Sequence, residues 1–161
     1  MHDVTAPSPE SDAAREIVSS RVFTHPASVV FAAFTDDRQL AQWWGPNGFT
    51  NTFQEFDPQP GGRWRFIMRG PDGKEYPNES QFLEVVAPRR LVFRHLSKPE
   101  FRMTVTLADE HEGTRVTWRM QFATVRECDK VKRYAVDANE QNFDRLAALL
   151  AATHRPRRRR R

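Results

Sequence analysis

The spacing of apolar and polar positions changes three times along the chain, and each change marks an element. Residues 17–24 are β-branched and aromatic, and His25-Pro26 closes them because the residue before a proline is pushed out of helical geometry, so a first strand is predicted. Pro26 suits the first turn of a helix, and Val29, Val30, Ala33 and Phe34 recur at one-turn spacing until Thr35-Asp36. Residues 37–44 read as a second short helix closed by Gly45-Pro46. From Phe49 to Phe122 the period is two. Trp64, Phe66 and Met68 alternate with Arg63, Arg65 and Arg69, the signature of a strand with one packed face and one wet face. Pro71-Asp72-Gly73 is a turn into a strand around 79–86, Pro88 interrupts, and 91–96 resumes. Phe101, Met103, Val105 and Leu107, and after a turn at 109–113 Val116, Trp118, Met120 and Phe122, alternate with Arg, Thr and Gln. Hairpin-length connections predict an antiparallel sheet.

The last predicted element is a long helix over 129–152. At about 100° per residue, Val131, Ala135, Ala138, Leu146 and Leu149 form one stripe flanked by Phe143 and Leu150. Asn142 falls in the middle of that stripe and Asn139 near its edge, where a helix that merely covers a core has no use for an amide.

With 161 residues there is room for one domain, and twelve Phe and four Trp supply a real interior. Residues 1–15 read as a disordered leader, 16–152 as the folded domain and 153–161 as a disordered, solubilising arginine-rich tail. Without the six tail arginines, Arg155 and Arg157 to Arg161, 19 basic residues face 21 acidic ones and the net charge of +4 becomes −2. Basicity therefore belongs to the tail, and no nucleic-acid partner is expected for the folded domain. One cysteine, Cys128, allows no intramolecular disulfide and no cysteine-cluster metal site. No stretch approaches roughly eighteen consecutive apolar residues, so no membrane partner is expected and a cytoplasmic location is.

The order of strand, two short helices, antiparallel strands and one long helix resembles the helix-grip fold of the START and birch-pollen-allergen superfamily, SRPBCC. Specific residues carry it further: Arg21-Val22-Phe23 with Pro26 and Val30-Phe31, Leu40-Ala41-Gln42-Trp43-Trp44-Gly45-Pro46, and Pro60-Gly61-Gly62-Arg63-Trp64-Arg65-Phe66. Gly70-Pro71-Asp72-Gly73, Pro88-Arg89-Arg90-Leu91-Val92, Gly113-Thr114-Arg115 and Asn139 with Asp144-Arg145-Leu146 continue it. These are similar to the subfamily named after the C-terminal domain of the heat-shock-protein-90 ATPase activator. The resemblance implies an α+β architecture, a curved antiparallel sheet of six or seven strands around the terminal helix, with a cavity that takes an apolar or aromatic small molecule. It also implies, as alternatives, a polyketide cyclase or hydratase and a co-chaperone of the heat-shock ATPase, and it implies homodimers in many members. Ala138 stands where many relatives carry Gly and trims such a cavity by about a methyl group.

The expected ligand-lining residues are Trp43, Trp64, Phe66, Met68, Phe101, Met103, Trp118, Met120, Asn139 and Asn142, each weighed against an ordinary place in the core. A dry void of about 300 Å³ would cost on the order of 7 kcal/mol, so a cavity of that size has to be filled. Trp43-Trp44 before Gly45-Pro46 reads either as a gate or as a plug of the barrel mouth. His95 is the candidate acid or base for an enzymatic reading, with no nucleophile or carboxylate assignable to it. Glu79 and Glu84 are expected on opposite faces of one strand, and Cys128 in an exposed capping segment. No two histidines share a metal-ligand spacing, so no metal and no cofactor are expected.

Overall fold

A computed structural model describes residues 13–154, so most of the expected leader and tail lie outside the described residues. Strand β1 (Glu16–Phe23) leads into helices α1 (Ala27–Thr35) and α2 (Asp37–Trp43). Six strands follow, β2 (Thr50–Phe56), β3 (Arg63–Arg69), β4 (Glu75–Val86), β5 (Arg90–His95), β6 (Phe101–Glu110) and β7 (Gly113–Gln121), and then helix α3 (Val125–Thr153). All seven strands make one antiparallel sheet in the order β1-β7-β6-β5-β4-β3-β2. Strands β2 to β7 are a simple meander, and β1 completes the far edge by pairing Ile17 with Met120 and Phe23 with Thr114. The curved sheet holding the long terminal helix is the α+β helix-grip architecture expected above.

Three local features differ from the sequence expectation, each for a physical reason. Helix α3 starts at Val125, four residues early, because Thr124 caps it: Thr124 Oγ1 accepts the Glu127 backbone N–H at 3.1 Å. Cys128 therefore lies in a formed first turn and is fully buried instead of exposed. Burial is the largest influence on its thiol and pushes the pKa up, the reverse of an activated nucleophile. Strand β4 starts at Glu75, since Tyr76 and Asn78 pair with Met68 and Phe66 across the hairpin. Its register then shifts between Phe82 and Glu84. That bulge resets the alternation, so Glu79 and Glu84 share the outer face, ion-paired with Arg63 and Arg90. The arginines that alternate with the core residues of β3 are paired there with Glu79, Glu55 and Glu75, which keeps this face polar.

Two close approaches of the chain require glycine. A Cβ on Gly113 would lie 2.1 Å from the Phe23 carbonyl oxygen, and one on Gly62 would lie 1.9 Å from that of Asp57, so the β6–β7 and β2–β3 connections close only without a side chain there. The inner face packs against α3, which lies along β1 and touches both short helices. Phe143 and Leu146 are fully buried in that interface. Among the described residues no helix is long and apolar enough to cross a membrane.

Candidate functional site

Between the sheet and α3 lies a cavity of about 210 Å³. Its floor is the inward half of the strand alternation: Trp64, Phe66 and Met68 on β3, Ser80 on β4, His95 on β5, Met103 on β6, and Trp118 and Met120 on β7. Its roof is the stripe of α3 that carries Ala138, Asn139 and Asn142, and Trp44-Gly45-Pro46 closes one end. Exposed Tyr134 and Pro99 on the rim leave it open to solvent on one side. A dry-void cost therefore applies only to its inner part. No Asp, Glu, Lys or Arg lines it among the described residues.

Nine of the ten residues expected to line a cavity are on this wall: Trp64, Phe66, Met68, Phe101, Met103, Trp118, Met120, Asn139 and Asn142. Trp43 is not. Its indole is buried beneath α1, where Nε1–H donates to the Ala33 carbonyl at 2.9 Å, and its neighbour Trp44 stands on the wall instead. The pair straddles a helix end: Trp43 is the last helical residue, and Trp44 already has extended backbone, φ −68° and ψ 132°. Helical phase is lost at that junction, and periodicity has no means of telling which indole turns inward. The ring of Trp44 is packed between Trp64 at 5.1 Å and Trp118 at 5.3 Å, a wedged position rather than that of a free flap.

The amides of α3 have different duties. Asn142 Nδ2 donates to the Trp43 carbonyl at 2.9 Å, and its Oδ1 accepts from the Gly45 N–H at 3.3 Å, so this side chain fastens the closing segment to the helix. Arg145, one turn nearest on the same helix, completes the fastening. Its guanidinium donates to the carbonyls of Gln42, Trp44, Gly45, Pro46 and Phe49 at 2.8–3.3 Å. The four N–H groups of Nη1 and Nη2 are shared among the five carbonyls, in place of a carboxylate. The sequence signal was Arg145 itself, a cation directly beside an apolar stripe. Asn139 Nδ2 donates to Ser19 Oγ at 3.2 Å and lies 3.6 Å from Met120 Sδ.

His95 lies on the wall, 9% exposed, with an oxygen beside each ring nitrogen. Nδ1 is 2.8 Å from the Pro99 carbonyl oxygen and Nε2 is 2.8 Å from Asn78 Oδ1. Both of these oxygens only accept, so the neutral ring, with a single N–H, donates to one of them at a time. Burial is the largest influence on the ring and pushes its pKa below the ordinary histidine value, against opposing hydrogen bonds to Pro99 and Ser97 and the charge of Glu100. Below about pH 6.5 the unfolded chain then binds more protons than the folded one, so stability falls as the pH drops through that value and levels off below the folded-state pKa. His25, pushed down by burial and by the nearby His154, contributes with the same sign. Urea unfolding at about pH 7.5 and about pH 5 should show a larger loss for the wild type than for His95→Gln. Equal losses would mean that His95 does not carry the dependence.

The family model described as "Activator of Hsp90 ATPase homolog 1-like protein" matches residues 24–151. Among solved structures, a protein of Rhodobacter sphaeroides is 25% identical with a TM-score of 0.81, covering 88% of this chain and 95% of its own. One of Mycobacterium smegmatis is 26% identical with a TM-score of 0.79, covering 89% and 95%. A protein of Silicibacter pomeroyi titled AHSA1 is 22% identical with a TM-score of 0.72, covering 86% and 99%, a likeness of fold. No curated protein matches significantly. Since the matched span begins just after β1 and runs almost to the end of α3, and so takes in six of the seven strands, the helix and the cavity between them, the chain belongs to the Activator of Hsp90 ATPase homolog 1-like family.

Proposed function

We propose that the chain is a small-molecule-binding protein whose cavity takes an apolar, aromatic ligand of one or two rings. The supporting observation is the cavity itself, about 210 Å³ open on one side and lined by indoles, phenyl rings and thioethers. Its size lies between the roughly 150 Å³ that accepts benzene and the roughly 300 Å³ at which drug-sized sites begin. Trp44, Trp64 and Phe93 present ring faces and edges at 5.1–6.2 Å from one another, a surface suited to a flat hydrocarbon frame. An oxygen faces each nitrogen of His95, and among the described residues no carboxylate lines the cavity, so binding accounts for the wall better than acid–base turnover of a cyclase or hydratase kind.

Calorimetric titration and thermal unfolding against one- and two-ring aromatic compounds test this. A ligand at about one hundred times its Kd adds about 2.7 kcal/mol, which for a domain of this size raises Tm by roughly 5–10 °C. Ala138→Leu, which fills the cavity from the helix side, should abolish that shift while the ligand-free protein keeps its stability. A panel that leaves Tm unmoved, with no extra mass on the purified protein in native mass spectrometry, would refute the binding role.

A further inference from the structure

The outer face of the sheet carries arginines in step with the inward aromatic residues, and most of them are balanced locally. Arg63, Arg65, Arg69, Arg115 and Arg119 each have a glutamate beside them. Among the described residues Arg94 has no carboxylate within ion-pair distance. Arg102 reaches only Glu84, at 3.7 Å, and that carboxylate is already 2.9 Å from Arg90. Arg94 and Arg102 are directly opposite each other across β5 and β6, and both alternate with inward residues, so they stand exposed on the same outer face. Like charges directly opposite weaken strand pairing unless an opposite charge comes between them.

The two arginines line a depression of about 230 Å³ together with Glu100, Phe101, Gln121 and Phe122. Glu100 is within ion-pair distance of neither. The chain joins the fold beside this depression: the Phe122 N–H donates to the Arg15 carbonyl at 2.9 Å, and Gln121 Nε2 donates to Glu16 Oε2 at 3.1 Å. Residues 1–12, outside the described residues, carry Asp3, Glu10 and Asp12 and neither lysine nor arginine. Strands β6 and β5 are two and three places from β1, roughly 10 and 14 Å at ordinary strand spacing. Asp12 adjoins the helical turn at Ala13-Ala14, and Glu10 is up to about 10 Å of extended chain from Ala13, so with the long arginine side chains both carboxylates are in reach of the pair.

We infer that the Arg94–Arg102 pair is the docking site of the chain's own acidic segment, with the carboxylates of Glu10 and Asp12 set on the two guanidinium groups. Exposed ion pairs are individually weak, but a tethered partner is present at an effective concentration on the order of millimolar, and two contacts act together. Phe101 lines both the depression and the cavity, so the segment docks against the back of the cavity wall. The inference does not depend on the binding role proposed above.

The test follows the isotope-labelled full chain by NMR. In the wild type the side-chain carboxyls of Glu10 and Asp12 should titrate below the ordinary range of about 3.9–4.3. Arg94→Gln combined with Arg102→Gln, both at exposed positions, should return them to that range, and so should about 1 M NaCl, which screens exposed charges beyond roughly 3 Å. In the other direction, Glu10→Gln with Asp12→Asn should shift the Nε–H resonances of Arg94 and Arg102 and leave that of Arg65, which has Glu55 beside it, in place. Carboxyls that titrate in the ordinary range in the wild type, or whose low values survive removal of both arginines, would overturn the docking. Arginine resonances that ignore the Glu10 and Asp12 substitutions would overturn it as well; if they move instead with protein concentration or on adding a glutamate-rich peptide, the pair belongs to a second copy or to a partner in trans.

Discussion

Phe143→Ala should lower the unfolding free energy by about 3–5 kcal/mol, the range for truncating a fully buried phenyl ring. Phe143 has no exposed surface and joins the layers of the fold, with ring centroids 4.6 Å from Trp118 on β7 and 5.9 Å from Phe23 on β1. The Arg21 guanidinium lies 5.5 Å above the same ring and bonds Glu140 and Asp144 of α3, each at 2.7 Å. Those ion pairs are solvated, so Arg21→Ala should cost no more than about 1 kcal/mol, and the difference between the two variants separates packing from surface charge. Urea unfolding reads both: for Phe143→Ala the midpoint falls with the slope unchanged. A loss under about 1 kcal/mol would show that α3 is not docked through this ring.

The second large effect belongs to Arg145. Removing its guanidinium in Arg145→Ala takes a donor from five carbonyls between Gln42 and Phe49, of which only those of Trp44 and Pro46 keep another, from Asn51 Nδ2 and the Phe49 N–H, and the expected loss is about 2–4 kcal/mol. Hydrogen exchange localises it: the amides of Gly45 and Asn47, which donate to Asn142 Oδ1 and Gln141 Oε1, should lose protection before those of the sheet. Arg145→Lys should recover less than half, because one ammonium has three donors and no planar fork to reach carbonyls spread from Gln42 to Phe49. Full recovery by lysine would mean that charge alone suffices. Trp44 stands in the same segment, so loosening it should also weaken any ligand held beside that ring.

Phe143 and Arg145 also show where sequence reading succeeds and where it stops. Phe143 was visible as a flank of the apolar stripe, because burial on a helix repeats at a fixed angle. Arg145 was visible as a residue but not as a staple, since its five acceptors are 96–103 positions away along the chain. Asn142 and Asn139 stood out on the stripe for the correct reason, that an amide there needs partners. Which partners they have, the Trp43 carbonyl and Ser19, depends on how α3 lies against elements more than ninety residues earlier. Ser80 carried no signal, being a small polar residue on a strand.

By itself the sequence determined the element types, the meander, which residues of β3, β6 and β7 turn inward, and the family, because these follow from local periodicity, turn chemistry and short motifs that any chain of this pattern must obey. Only the tertiary structure decided which of two adjacent tryptophans faces the cavity, that a bulge in β4 puts both glutamates outside, and that Cys128 is buried. Each of these depends on contacts between elements distant in the chain, whose energies enter only when the sheet has curved and the helix has docked.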